Sequence, residues 1–472
     1  MKLSLALLTL PCWLAACALA PPPVTVPLPV ADAWTAPLPH QGRLQDLSQW
    51  WQQFDDPTLV MLIDAAQQVS PTLASAQSRI TQARAAEQLA AAALRPLADA
   101  TASSSRGRQT TLIGAPLATL SQARLQASWE TDLFGGLAAN RTAAQARLQG
   151  AQAQWHEARV SVAAEVATLY FHWRACQALA DVARQDSNSR ATTARLTQLT
   201  AKAGLAAPAQ TALAQASGAE GATLLTQQQA QCDTDLKGLV ALSGLTASKL
   251  QEKPPFRHIA IDDKAIFLIA NIPAQALRQR PDLFNAERDV AAASAEVGNA
   301  QAERYPRLSL TGSIGQLSMR SGGNTFDIST WSIGPVALTL PVLDGGKFAA
   351  NLAAAQARYD EAAALYRAKA RQAVREVEEA LVALDSSHAR RTDVQTAISS
   401  YQTVFNATQA RYTAGLGSLA ELEEVRRTTL GATSALIAYQ RDTVTAWIAL
   451  YRAVGGGWTP DASATPLRTT TP

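Results

Sequence analysis

Two stretches of this chain alternate at period two. Ala123, Leu125, Ala127, Trp129, Thr131 and Leu133 fall on one side, with Arg124, Gln126, Ser128, Glu130 and Asp132 on the other. That is the pattern of a strand with one apolar face and one charged face. Leu308, Leu310, Gly312 and Ile314 alternate in the same way with Ser309, Thr311, Ser313 and Gly315. Two weaker strand segments accompany them: residues 97–109, small and polar, and residues 331–343, whose alternation is disturbed around Pro335. The rest reads as helix. Residues 137–203 predict one helix of 67 residues, about 100 Å long at 1.5 Å per residue. The helices predicted at 71–95 and 205–245, placed end to end, nearly match it.

The same order of elements occurs twice. Ser70-Pro71-Thr72-Leu73 corresponds to Arg280-Pro281-Asp282-Leu283, Arg95-Pro96 to Tyr305-Pro306, and Leu133-Phe134-Gly135-Gly136 to Leu343-Asp344-Gly345-Gly346, all offset by 210. Past the Gly-Gly pair the offset is 211, pairing Ala143-Ala144-Gln145-Ala146-Arg147 with Ala354-Ala355-Gln356-Ala357-Arg358 and Ala203-Gly204-Leu205 with Ala414-Gly415-Leu416. One inserted residue explains the change, so the chain is an internal duplication. In each copy Pro suits the first helical turn, and Gly204 or Gly415 suits the turn between the long helix and the one that returns. Four strands cannot close a membrane barrel, which needs about eight or more. A barrel therefore forces oligomerisation, and three chains would supply twelve strands. The plain alternative is a solvated antiparallel sheet.

Composition agrees with this layout. Apolar residues make up 47% of the chain, aromatics only 6%, and about one residue in five is alanine, as expected where long helices meet along narrow seams. The formal net charge of +3 is too small to argue for a nucleic-acid partner. No run of eighteen apolar residues follows the N-terminus, which excludes a helical membrane span. His40, His156, His172, His258 and His388 are scattered, and no nucleophile triad, P-loop or dinucleotide motif occurs. Neither enzyme, metal site nor cofactor is expected, apart from a covalent lipid.

That lipid comes from the N-terminus. Residues 1–16 form a short secretory signal with Lys2 and an apolar run, ending in Leu14-Ala15-Ala16-Cys17. The ending resembles a bacterial lipobox, which makes Cys17 the lipidated first residue of the mature chain. Ala18 follows rather than Asp, so the resemblance to bacterial lipoproteins implies the outer membrane. Residues 20–39 are rich in proline and read as an extended tether.

Taken in order, the landmarks resemble the outer-membrane efflux protein family of the TolC and OprM type, in its lipoprotein, NodT-like branch. They are Trp51, Phe54, Asp56-Pro57, Leu59 and Leu62-Ile63, then Leu277, Arg280-Pro281-Asp282, Ala286-Glu287, Gly298, Ala300, Ala302 and Pro306, and then Leu308-Ser309-Leu310, Gly312, Gly315, Leu340-Pro341, Leu343 and Gly345-Gly346. The resemblance implies a mainly α fold with a small β part. Two long coiled-coil hairpins and four transmembrane strands per chain would trimerise into a 12-stranded β-barrel and an α-helical periplasmic tunnel. The plan is then a signal (1–16), a lipidated tether (17–49), a first repeat (50–246), an equatorial linker (247–272), a second repeat (273–457) and a tail (458–472). The implied function is a passive exit duct in the outer membrane of a Gram-negative bacterium. Its partners would be two further copies, outer-membrane lipid, a periplasmic adaptor and an inner-membrane pump, typically of the resistance-nodulation-division type. The alternatives are a periplasmic adaptor lipoprotein and the duct of a secretion or export system.

The resemblance also nominates residues. The gate would lie after the second turn, around Leu422-Glu423-Glu424-Val425-Arg426-Arg427. Glu424 stands where OprM-like members place Asp, and Arg427 where they place Arg; Tyr412 and Glu421 join them as gate candidates. Glu424 and Arg427 are i,i+3 and can pair on one helix face, and three axial acids would favour cations. The alternative is an ordinary solvated face. The first copy has Ala206-Ala207-Pro208-Ala209-Gln210 there, without acids. The tips at Gly204 and Gly415 are the expected adaptor contacts. Cys176 and Cys232 each lie 28 residues from Gly204, so an antiparallel hairpin puts them at one height. If both face the seam they can bridge in an oxidising compartment; otherwise they are two small seam residues.

Overall fold

The computed structural model describes residues 20–28, 47–108, 117–251, 277 and 280–458. A 3₁₀ turn, Leu47–Phe54, leads into α1 (Pro57–Val69), α2 (Pro71–Ala92), β1 (Leu97–Arg108), β2 (Leu117–Thr131), α3 (Gly136–Lys202), α4 (Pro208–Ser243) and α5 (Ala247–Gln251). The second copy supplies α6 (Pro281–Ala302), β3 (Arg307–Ser321), β4 (Asn324–Thr339), α7 (Lys347–Thr413) and α8 (Leu419–Ala453). Both α3 and α7 are 67 residues long.

Helix starts follow local chemistry. Asp56 caps α1 by accepting from Thr58 N–H at 2.9 Å, with Pro57 in the first turn. Asp132 accepts from Leu137 and Ala138 at the head of α3. Asp344 accepts from Gly346 and Phe348 at the head of α7, and these backbone N–H donors hold its carboxyl below the usual carboxylate range.

The chain divides into two compact units, each drawing on both copies. One comprises residues 1–28, 78–152 and 284–368. It holds the sheet, and its helices pack through small side chains: Ala143 and Ala146 of α3 meet Ala291, Ala292 and Ala295 of α6. Methyl-sized contacts let helix axes approach closely.

The other unit comprises residues 29–77, 153–283 and 369–472. The chain's scarce aromatics gather in its core. Trp50, Tyr170, Phe171, Trp173, Trp447 and Tyr451 are buried together with Leu59, Leu239 and Leu381, and Trp50 stacks on Tyr451 at 4.9 Å. Tyr170, Phe171 and Trp173 pack between helices there, whereas His172 of the same segment is exposed, and partial desolvation lowers its pKa.

The sheet is antiparallel throughout, in the order β1-β2-β3-β4. It departs from the sequence-based expectation at its far end. β2 begins at Leu117 rather than Ala123, β3 continues to Ser321, and β4 spans Asn324–Thr339 rather than 331–343. The cause is a two-residue hairpin. Ser321 pairs with Asn324, and Gly322 and Gly323 both have positive φ, 57° and 88°, as the tight turn matched to strand twist requires. The irregular alternation at Pro335 is a register shift opposite Leu310 and Gly312.

Candidate functional site

Residues directly paired across a sheet share a face, so the register sorts the side chains. At the foot of the sheet, where β3 begins, one face carries Leu125, Trp129, Leu308, Leu310, Ile314, Trp331, Ile333, Val336 and Leu338. Most are exposed, Ile333 at 93% and Trp331 at 75%. Ala98, Ala100 and Ala102 of β1 continue this face. The other face at the same height carries Asp99, Arg124, Gln126, Ser128, Glu130, Ser309 and Ser313. Apolar to lipid and polar to a lumen is the division of a membrane barrel wall.

Towards the Gly322-Gly323 turn the faces exchange character. The formerly apolar face now presents Thr119, Ser121, Ser318, Arg320, Thr325 and Asp327, and the opposite face presents Leu120, Leu317, Met319, Phe326 and Ile328. The apolar band is confined to the foot. β1 and β4 are the outer strands and pair on one side only among the described residues. Backbone N–H and C=O groups along both edges therefore need partners beyond the single chain.

The hairpin tips lie in the other unit. Gly204 and Gly415 have φ of 75° and 74°, the left-handed conformation that ends a helix at a glycine. After the second tip Ser418 caps α8 by accepting from Glu421 N–H at 3.1 Å, and Glu421 pairs with Arg411 at 2.8 Å. Tyr412 contributes its backbone carbonyl, which accepts from Gly415 N–H at 3.0 Å.

Glu424 and Arg427 pair with each other at 2.5 Å, both on α8 and both exposed. The contact between hairpins is made one residue earlier. Glu423 is 8% exposed and accepts from Ser189 Oγ of α3 at 2.5 Å and from Arg426 at 2.7 Å. Arg426 also donates to Ser189 Oγ and lies over the Phe405 ring. Beside this cluster is a cavity of about 590 Å³ lined by Gln185, Asn188, Thr192, Gln402, Phe405 and Thr433 among others. Sequence reasoning placed Glu423 and Arg426 in the gate segment but singled out Glu424 and Arg427 instead, and it passed over Ser189. The signal was present as a second i,i+3 acid–base pair, Glu423 and Arg426, but nothing local says which pair faces inward.

Cys176 and Cys232 form a disulfide across α3 and α4, with Cα atoms 5.5 Å apart. Gln228 donates to the Cys176 sulfur at 3.1 Å. Arg280, ahead of the second repeat's first helix, binds Asp282 and Glu376 and donates to the Ala453 carbonyl at 2.8 Å; its guanidinium holds the Asp282 carboxyl below its ordinary range. Nearby, burial followed by the Asp282 charge raises the Glu157 pKa. Among the described residues no group of three His, Cys, Asp or Glu is placed to hold a metal. Among them too, no helix is long and apolar enough to cross a membrane. Cys17, the lipidation candidate, lies outside the described residues, as do most of the linker and the tail.

Known proteins match along nearly the whole chain. Nodulation protein T of Rhizobium leguminosarum bv. viciae is 28% identical, covering 99% of this chain and 96% of the relative. Outer membrane protein OprJ of Pseudomonas aeruginosa is 30% identical, covering 94% of each. The outer-membrane channel OprN superposes with a TM-score of 0.80 at 27% identity, covering 92% of this chain and 98% of the channel. The family model described as outer membrane efflux protein matches twice, over residues 62–245 and 272–456, once in each copy. A duplicated pair of long hairpins, a sheet with lipid-suited foot and open edges, and these matches place the chain in one family: it belongs to the outer membrane efflux proteins.

Proposed function

We propose that three copies of this chain form a passive exit duct in the outer membrane of a Gram-negative cell. The duct conducts small molecules delivered by a periplasmic adaptor and an inner-membrane pump of the resistance-nodulation-division type. The observation that carries this reading is the sheet: four strands with an exposed apolar foot and two edges that are unpaired among the described residues. Three such sheets joined edge to edge satisfy both edges and give the apolar foot a solvent of its own kind. An adaptor lipoprotein would have no use for such a sheet. The duct needs no fuel and no catalytic group; its work is to hold a pore open or shut.

The gate belongs to the hairpin tips, with Gly204 and Gly415 as the adaptor contacts. Tyr412, Glu421, Glu424 and Arg427 stand around the second tip. The Glu423–Ser189–Arg426 cluster ties that hairpin to the first and must yield if the hairpins are to part. The lipid on Cys17 adds an anchor. Purified protein is expected to run as a heat-modifiable trimer and to conduct ions across a planar bilayer. A soluble monomer without conductance would sink the duct reading. Within a conducting protein, the gate assignment fails if neither Glu424→Ala, Arg427→Ala nor Glu423→Ala alters conductance.

A further inference from the structure

Above its apolar foot the sheet carries its charge on the outer side. The face that presents Leu125, Ile314 and Trp331 to lipid continues upward through the register. Arg106 pairs with Thr119, Thr119 with Arg320, and Arg320 with Thr325. Directly paired residues share a face, so these side chains form one row across β1, β2, β3 and β4. The next row down the same face is Ser104, Ser121, Ser318 and Asp327. Between the two rows the lumen side presents Leu120, Met319 and Phe326. The polar lumen is the ordinary place for charge in a barrel wall; here the outer surface holds it.

The spacing of the row suits an anion. Neighbouring strands are about 4.8 Å apart, so Arg106 and Arg320 flank Thr119 with their backbones about 10 Å from each other. Two guanidinium groups on long stems can converge on one phosphate, and the Thr119 and Thr325 hydroxyls add donors beside them. Both arginines are exposed, and neither has an ion-pair partner among the described residues. Among the described strand residues the acid on this face is Asp327, one row below. Height matters as well. Arg320 lies six residues beyond Ile314, about 20 Å along a strand or about 15 Å of height at the usual barrel tilt. The row therefore stands above the apolar band, where sugars and headgroups replace acyl chains.

We propose that Arg106, Thr119, Arg320 and Thr325 form a docking row for the phosphate groups of the outer-leaflet glycolipid, lipopolysaccharide. The proposal rests on the trimeric duct, which carries the row three times around its barrel. Charge complementarity and height select this occupant: phosphorylated sugars lie at that level, and a neutral surface gives two arginines nothing to neutralise. A phosphate held between Arg106 and Arg320 braces the outer strand β1 against β3 across β2.

The test titrates the full-length trimer in detergent with rough lipopolysaccharide and with the same glycolipid after enzymatic dephosphorylation. Native mass spectrometry reads the glycolipid bound per trimer. The phosphorylated form should bind about tenfold tighter, a comparison that needs no variant. Arg106→Gln or Arg320→Gln should each weaken it about fivefold and Asp327→Asn should strengthen it about twofold, whereas Arg124→Gln on the lumen side should leave it unchanged. Trimers and conductance should persist in all four variants. Equal affinity for the two glycolipids would overturn the docking row. So would an equal loss with Arg124→Gln, which marks a general attraction of charge, or full displacement by equimolar inorganic phosphate, which marks a small-anion site. A monomer without conductance sinks the duct and the row together; a conducting trimer that ignores phosphorylation overturns the row alone.

Discussion

At the first hairpin tip Leu205 N–H reaches the Thr200 carbonyl at 2.8 Å, and Gly204 N–H reaches Ala201 at 3.0 Å; at the second, Leu416 reaches Arg411 and Gly415 reaches Tyr412 at the same two distances. The backbone turns alike because glycine in the left-handed region ends both long helices. What holds each hairpin differs. The first has a disulfide between α3 and α4 and a return helix that begins at Pro208 after Ala207, with no side-chain cap. The second has no cysteine; Ser418 caps its return helix, and charged pairs surround the tip. A covalent bridge restrains the first hairpin whatever the charge state, whereas the second is held by groups that can exchange partners. The first hairpin also has an exchangeable pair, Arg190 of α3 with Glu220 of α4 at 2.9 Å; what sets it apart is the permanent bridge.

The largest effect should come from removing the bridge. Cys176→Ser with Cys232→Ser opens a loop of 56 residues, worth up to about 4 kcal/mol of unfolded-state restraint. Hydrogen exchange should quicken in residues 177–231 and not in α7 or α8; equal quickening in both hairpins would erase the distinction. Next is Glu423→Ala, which strands donors on Ser189 and Arg426 in a mostly buried site and should cost about 2 kcal/mol. Conductance should rise, and a double-mutant cycle with Ser189→Ala should show coupling between the hairpins. Ser418→Ala should cost about 1 kcal/mol at the second tip. Its mirror, Ala207→Ser, should slow exchange at the head of α4, because that position is extended and ready to cap. The smallest effect is at Glu424 and Arg427. As an exposed pair on one helix, its loss should change stability by less than about 0.5 kcal/mol, so any change in conductance there reports on the pore and not on folding.

Much of the fold could be read from the chain alone. The Pro and Gly landmarks marked the duplication, and α3 came within one residue of its expected limits. The matching distances of Cys176 and Cys232 from Gly204 put them at one height, but whether both faced the seam was a question of helix rotation. The pair Glu424–Arg427 was visible as i,i+3 spacing, and so was Glu423–Arg426 one step away. A helix turns about 100° per residue, so only the packing of α8 against α3 could choose between them. The far half of the sheet was misplaced because the Gly322-Gly323 hairpin lies between strands whose apolar residues change faces there.

The sequence by itself determined the repeat, the order of elements, the glycines that reverse the chain and the need for partner chains. Each of these follows from local backbone preference, side-chain period or the number of strands, none of which depends on distant residues. The tertiary structure alone decided which acid joins the hairpins, where the apolar face of the sheet ends, and that a proline-rich segment lies against Gly298 and Tyr359. Those depend on helix rotation and strand register between segments up to 336 residues apart, which no local pattern specifies.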